Sequence, residues 1–296
     1  MVNGESPESS GKVHADLRME ITVTVLVTAD ELAAELESEN PPRVLDVRWR
    51  LDKPDGREDY RAGHIPDAVY VDLDHELASH GELGDGRHPL PSEADFQATV
   101  RSWGVNEGDR VVVYDDLKNL SAARAWWMLR YAGIADVRLL DGSLRAWTDA
   151  GLVLEEGDVR PESGSVQLRY GALPTIDIDD AAAMPERGIL IDARAAERYR
   201  GEVEPIDPRA GHIPGAVNAP TAENVDASGR FLPADELRAR FETLGVSTDT
   251  TVGVYCGSGV TAAHEVAALA IAGFDAALYP GSWSQWSNHP DRPVKV

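Results

Sequence analysis

The chain of 296 residues carries 51 acidic against 28 basic side chains, a formal charge of −23 that repels nucleic acid phosphates and anionic membranes, and no long basic block offsets it. Its 43% hydrophobic content suffices for two cores, yet no apolar run approaches the roughly eighteen residues of a membrane span. The single cysteine excludes an intrachain disulfide and a thiolate zinc site, and the 8 histidines show no paired ligand spacing, so no metal or other cofactor is expected. A lone reduced thiol suits a cytoplasmic setting.

Residues 1–20 are polar, without the apolar core of a secretory signal, and read as a disordered tail. A first α/β domain is expected over 21–150, with a helix at 28–37 opened by Thr28, a strand at 43–47, a strand at 111–114, and a helix at 121–131 closed by Gly133. The stretch 151–173 has no strong period, contains Gly157, Pro161 and Gly164, and reads as a linker. A second domain over 174–296 repeats the pattern: strand at 189–193, helix at 234–244, strand at 252–255, and a helix at 262–272 that Gly273 ends. Short apolar runs alternating with helices imply two tandem domains, each a mostly parallel sheet flanked by helices.

The two domains are copies. Arg61-Ala62-Gly63-His64-Ile65-Pro66 recurs unchanged as Arg209-Ala210-Gly211-His212-Ile213-Pro214, and Asp46-Val47-Arg48 is echoed by Asp192-Ala193-Arg194. Glycine and proline suit each Gly-His-Ile-Pro piece to turning the chain into the next strand, and His212 is expected to serve only there. Aligning Tyr114 with Tyr255 places Asp115 opposite Cys256, so the first copy has no nucleophile.

Cys256 stands where a buried strand meets Gly257-Ser258-Gly259-Val260-Thr261 and then a helix. Such a loop can aim backbone N–H groups and a positive helix end at the sulfur, which favours a thiolate and an anion held above it. His264, further along that helix, reads as an ordinary helix residue.

Cys-Gly-Ser-Gly-Val-Thr-Ala resembles the active-site loop of rhodanese-fold sulfurtransferases, nearest to the 3-mercaptopyruvate form, and both halves of the chain carry family marks. The resemblance implies two rhodanese-like domains, the first inactive and walling the cleft of the second. It implies a ping-pong reaction in which Cys256 takes a sulfur from a small anionic donor and passes the persulfide sulfur to a thiol or cyanide, or to a reducing protein such as thioredoxin. Neutral Gly257 and Ser258, where thiosulfate-using members carry basic residues, favour 3-mercaptopyruvate; thiosulfate is the alternative. The family's serine relay would use Ser258 with His64, by motif position, and with Asp52 or Asp55. Arg198 matches the family's substrate-binding arginine. A second arginine lies downstream in mercaptopyruvate enzymes, and Arg209 is the candidate, although the intervening segment differs. Trp49 is a candidate cleft wall. A phosphatase would need an arginine where Ala262 stands. A non-turnover persulfide carrier for a partner protein is the remaining alternative.

Overall fold

The computed structural model describes residues 24–296, so the tail expected at 1–20 lies outside the described residues. In the first domain, strands β1 (Leu26–Val27), β2 (Arg43–Asp46), β3 (Val69–Tyr70), β4 (Val111–Tyr114) and β5 (Val137–Leu140) are interspersed with α-helices. These are α1 (Ala29–Leu36), α2 (Arg57–Ala62), α3 (Leu73–Glu76), α4 (Glu93–Ser102), α5 (Ala122–Tyr131) and α6 (Ser143–Asp149). Every strand pairing is parallel, in the order β1-β5-β4-β2-β3.

The second domain repeats this with α7 (Ile178–Arg187), β6 (Ile189–Asp192), α8 (Ala196–Tyr199), β7 (Val217–Asn218), α9 (Ala234–Thr243), β8 (Val252–Tyr255), α10 (Thr261–Ile271), β9 (Ala277–Leu278) and α11 (Ser282–Ser287). Its sheet, also parallel, runs β7-β6-β8-β9. An isolated parallel bridge from Thr175 to Leu278 stands where the first domain has β1.

Local chemistry sets the helix ends. Thr28 and Glu31 form a reciprocal capping box at the start of α1, with the Thr28 N–H donating to Glu31 at 2.9 Å. Gly133 and Gly273 follow α5 and α10 at φ +96° and +80°, a backbone region that costs glycine nothing. Strands β4 and β8 are buried along their whole length, as expected for central strands covered on both faces.

Helices α5 and α10 pack against each other across the domain boundary, and one apolar core runs continuously from the first domain into the second. Ala122, Ala123 and Ala125 on one side and Ala262, Ala263 and Ala267 on the other are all fully buried. Small side chains there let the two helices approach closely. Residues 151–173 form no helix and no strand, and run along the first domain with Val166 and Leu168 buried and Glu155 bridged to His64.

The repeated motifs do the same structural work in both copies. Arg48 meets Asp46 at 2.9 Å and Arg194 meets Asp192 at 2.6 Å, each pair buried at the end of its strand. The Tyr114 and Tyr255 hydroxyls accept the N–H of Ile65 and Ile213, so each central strand holds its Gly-His-Ile-Pro turn in place. His64 stacks on Tyr60 at 4.1 Å and His212 on Tyr199 at 3.8 Å, and each Nδ1–H donates to the carbonyl of that same tyrosine. Asp46→Ala leaves the Arg48 guanidinium buried without its carboxylate. It should cost about 3–5 kcal/mol of stability, measured by denaturant unfolding; a loss near zero would show that the pair does not hold the strand end.

Candidate active site

The loop after β8 is shaped around the Cys256 sulfur. Gly259 sits at φ +82°, and a Cβ there would lie 2.3 Å from the Pro280 carbonyl oxygen, so only glycine fits. Its N–H donates to Sγ of Cys256 at 3.1 Å. The start of α11 clamps the same loop: the N–H groups of Trp283 and Ser284 donate to the carbonyls of Cys256 and Gly257 at 3.0 and 2.8 Å. The Ser282 hydroxyl accepts the Cys256 N–H at 3.1 Å. Among the described residues Gly259 is the one amide of the 257–261 loop bonded to the sulfur, and α10 begins at Thr261, the last residue of that loop.

Ser258 does not cap α10, whose cap position is Val260 without a side-chain bond. Its Oγ instead lies 2.8 Å from Nδ1 of His88, and Nε2 of His88 lies 3.2 Å from Oδ1 of Asp74. With the carboxylate taking the Nε2–H, Nδ1 is left to accept the Ser258 hydroxyl proton. Trp49 stands edge-on to the imidazole at 5.5 Å. Burial, reinforced by the positive charge of Arg124, pushes the His88 pKa down to about 4 against the opposing pull of Asp74. The ring is therefore neutral at ordinary pH.

Arg124 underlies both halves of the site. Fully buried on α5, it donates to the carbonyls of Leu77 and His88 in the first domain and of Gly259 in the catalytic loop. Burial lowers its pKa to about 10, and the neighbouring Cys256 charge opposes that shift.

Above Cys256 opens a cleft of about 370 Å³ between the domains. Trp49, Leu51, Leu117 and Leu120 from the first domain and Ile206 and Pro220 from the second form an apolar wall; Arg50, Arg87, Arg194 and Arg198 supply the charge. Arg198 is held by Glu204 at 2.7 Å and Asp207 at 3.4 Å, while Arg194 stays with Asp192 in its strand-end pair. No group of acidic, histidine or cysteine side chains among the described residues is arranged to hold a metal ion, and none of their helices is long and apolar enough to cross a membrane.

The model of the rhodanese-like domain matches residues 28–150 and again 177–289. The chain belongs to the rhodanese-like family. It is 38% identical to the 3-mercaptopyruvate sulfurtransferase of Escherichia coli over 288 residues, covering 93% of this chain and 99% of that one. A Mycobacterium tuberculosis protein, provisionally named a thiosulfate sulfurtransferase, is 51% identical over 276 residues, with 91% and 96% covered. The crystal structure of the E. coli 3-mercaptopyruvate enzyme superposes with a TM-score of 0.79 at 36% identity, covering 88% of this chain and 99% of that chain. The protein is a sulfurtransferase.

Within this rhodanese-like pair, the structure brings together Cys256, its loop and Arg198, and leaves out four of the other residues singled out from sequence. His64 is fully buried in its turn, bonded to Tyr60 and absent from the cleft, because the Gly-His-Ile-Pro histidine has the same packing role in both copies. Asp52 and Asp55 are exposed; Asp55 accepts the Arg57 N–H at 2.9 Å, and neither meets Ser258. Arg209 points away from the donor site. Its guanidinium donates to the carbonyls of Trp286, Ser287, His289 and Arg292 and ties down the C-terminal segment.

His88, Asp74 and Arg87 went unread, although the repeat held a clue. Gly86-Arg87-His88-Pro89-Leu90-Pro91 parallels Gly229-Arg230-Phe231-Leu232-Pro233, so an imidazole stands in one copy where the other has a phenyl ring. Phe231 packs on His264, which is buried and bonded to Thr221 as a structural helix residue.

The depressed His88 pKa has two consequences. Nδ1 can accept a proton until the pH falls to about 4, so the acid limb of kcat/KM should lie near there and not near the ordinary 6.5. Between those values the unfolded chain takes up a proton that the folded chain refuses, so the stability present above 6.5 is progressively lost as pH falls toward 4. A pH–rate profile with its acid limb at 6.5, lost in the His88→Gln variant, would contradict this.

Proposed function

We propose that the chain transfers the sulfur of 3-mercaptopyruvate, through a persulfide on Cys256, to a thiol or cyanide. The observation that carries this reading is the Ser258–His88–Asp74 chain beginning two residues after the nucleophile. The Cys256 thiolate attacks the donor's thiol sulfur; the S–S bond forms, the C–S bond breaks, and its electron pair passes into the enolate of pyruvate. The donor's S–H proton must leave as the persulfide forms, and the enolate must gain one. Ser258 Oγ, able to pass its own proton to neutral His88 and accept another, serves both needs. Asp74 fixes the ring so that Nδ1 faces the serine. The acceptor then attacks the outer sulfur and restores the thiolate.

A second reading, thiosulfate as donor, is favoured by Arg87 and Arg198 beside Gly257 and by the name of the M. tuberculosis relative. Sulfite leaves thiosulfate as a stable anion with no carbon to protonate, so this donor has no use for the relay. Exposed Leu51 and Ile206 at the mouth suit the approach of a larger thiol, and we infer a protein dithiol of the thioredoxin kind as a cytoplasmic acceptor. Repeated turnover with a small thiol separates an enzyme from a carrier that stalls after one sulfur.

Cys256→Ser should abolish transfer, and incubating the native protein with donor should add the mass of one sulfur at Cys256. Ser258→Ala should lower kcat/KM for 3-mercaptopyruvate by roughly 10²–10⁴-fold, with thiosulfate affected less than about tenfold. Equal losses for both donors would remove the relay from the mechanism.

A further inference from the structure

Helix α10 carries two fully buried polar side chains that the reaction does not use, His264 and Glu265. Counting back from Gly273 and Gly133, their counterparts on α5 are Arg124 and Ala125, so the second domain holds a carboxyl where the first has a methyl group. A glutamate almost never sits so deep without a partner. Glu265 is satisfied on one side only: Oε2 accepts the Asn224 Nδ2–H at 2.6 Å, while Oε1 is buried with no hydrogen-bond partner among the described residues.

Its connections lead to the cleft. Asn224 ends the short 3-10 helix Thr221–Asn224, and Pro220, Thr221 and Ala222 line the cleft from the second domain. Asn224 Oδ1 accepts from Nε of Arg240 on α9 at 3.0 Å, and Nη2 of the same guanidinium donates to the Pro220 carbonyl at 3.1 Å. One amide thus spans an acid and a cation, and the cation holds the cleft wall. Thr221 is fastened as well, its Oγ1 lying 2.8 Å from Nδ1 of His264. Arg240 and Glu223 are the charged groups that act on the carboxyl from α9 and from the turn, while burial keeps His264, on α10 itself, neutral with a pKa of about 3. From α5 comes Arg124, whose donors go to the carbonyls of Leu77, His88 and Gly259. From β8 comes Tyr255, which accepts the Ile213 N–H, and β9 brings only Ala277 and Leu278.

We propose that Glu265 is a positioning residue for the donor: through Asn224 and Arg240 its charge fixes the cleft wall at 220–222, and taking up a proton loosens that wall and weakens donor binding without altering the sulfur-transfer step. This rests on the sulfurtransferase reading of the same cleft. An ionised Glu265 offsets the Arg240 charge across the Asn224 amide, whereas a neutral one leaves Arg240 to Glu223, 2.6 Å away and exposed. Burial raises the Glu265 pKa to about 7, against the pull of Thr221, Arg240 and Asn224, so the change falls in the ordinary working range. For stability the sign is opposite to that of His88. The folded chain keeps this proton above the ordinary 4.5, so the stability it contributes is present at low pH and is lost as pH rises through 7.

The test reads the cleft without requiring turnover. Cys256 is alkylated by iodoacetamide in the presence of pyruvate, which resembles the donor but carries no sulfur. In the native protein the pyruvate concentration giving half protection should rise about fivefold from about pH 8 to about pH 6, at the low end of coupling between two sites, and KM for 3-mercaptopyruvate should follow it. In Glu265→Gln both quantities should stay at the higher value throughout, with kcat within about twofold of native at each pH. Asn224→Ala, which keeps the carboxyl and cuts its link to Arg240, should lose the step as well. Glu265→Gln should also melt a few degrees above the native protein near pH 8 and level with it near pH 5. The same pH dependence in native and Glu265→Gln proteins, or a loss confined to kcat, would overturn the proposal and leave the carboxyl to stability alone. A pyruvate step that disappears in Glu265→Gln, in a protein that turned over no sulfur donor, would uphold the positioning and overturn the sulfur-transfer reading instead.

Discussion

A single buried guanidinium carries the geometry of the site. Arg124 is wholly removed from water and has no carboxylate partner among the described residues; its donors go to the carbonyls of Leu77, His88 and Gly259. A buried ion so placed costs several kcal/mol unless nearby charge and dipoles offset it. Here the offset comes from those carbonyls and from the Cys256 charge that opposes the fall in its pKa. The three carbonyls belong to the end of α3, the loop that brings Arg87 and His88, and the catalytic loop. Holding all of them at once fixes the relay of one domain against the nucleophile of the other. The packing of α5 on α10 does the same for the helices beneath.

Duplication explains why two domains are needed for one site. In the first copy, Asp115 occupies the nucleophile's position, and its carboxylate accepts the N–H groups of Leu117, Asn119, Ser121 and Ala122. The turn that in the second copy bonds a sulfur is here closed by a buried carboxyl group. The first domain contributes other segments to the shared cleft: Trp49 and Leu51 to its wall, Arg87 to its charge, and Asp74 and His88 to the hydrogen-bonded chain that reaches Ser258.

Much of this was legible in the sequence because it depends on local pattern. Thr28, Gly133 and Gly273 mark helix ends, apolar runs mark β4 and β8, and the glycine-rich turn between β8 and α10 marks the nucleophile. The relay depends on a contact between residues 88 and 258, which no periodicity reports. Motif position favoured His64, yet its exact repetition at His212 was evidence for a turn that both copies require. Differences between the copies were the better guide, since Cys256 replaces Asp115 and His88 replaces Phe231, and both replacements meet at Ser258 and its loop. Arg209 misled for a related reason: its charge is visible in sequence, whereas the four carbonyls that consume its donors are assembled only by the fold.

The central claim is that Ser258 and His88, on different domains, act as one proton-handling unit for the nucleophile between them. Single-turnover formation of the Cys256 persulfide from 3-mercaptopyruvate, followed by rapid quench and intact mass in the Ser258→Ala, His88→Ala and doubly substituted proteins, tests it most directly. The expected result is that the double substitution slows the step no more than either single one, because removing either member already disables the unit. Losses that multiply, or a His88→Ala rate equal to that of the native protein, would contradict it.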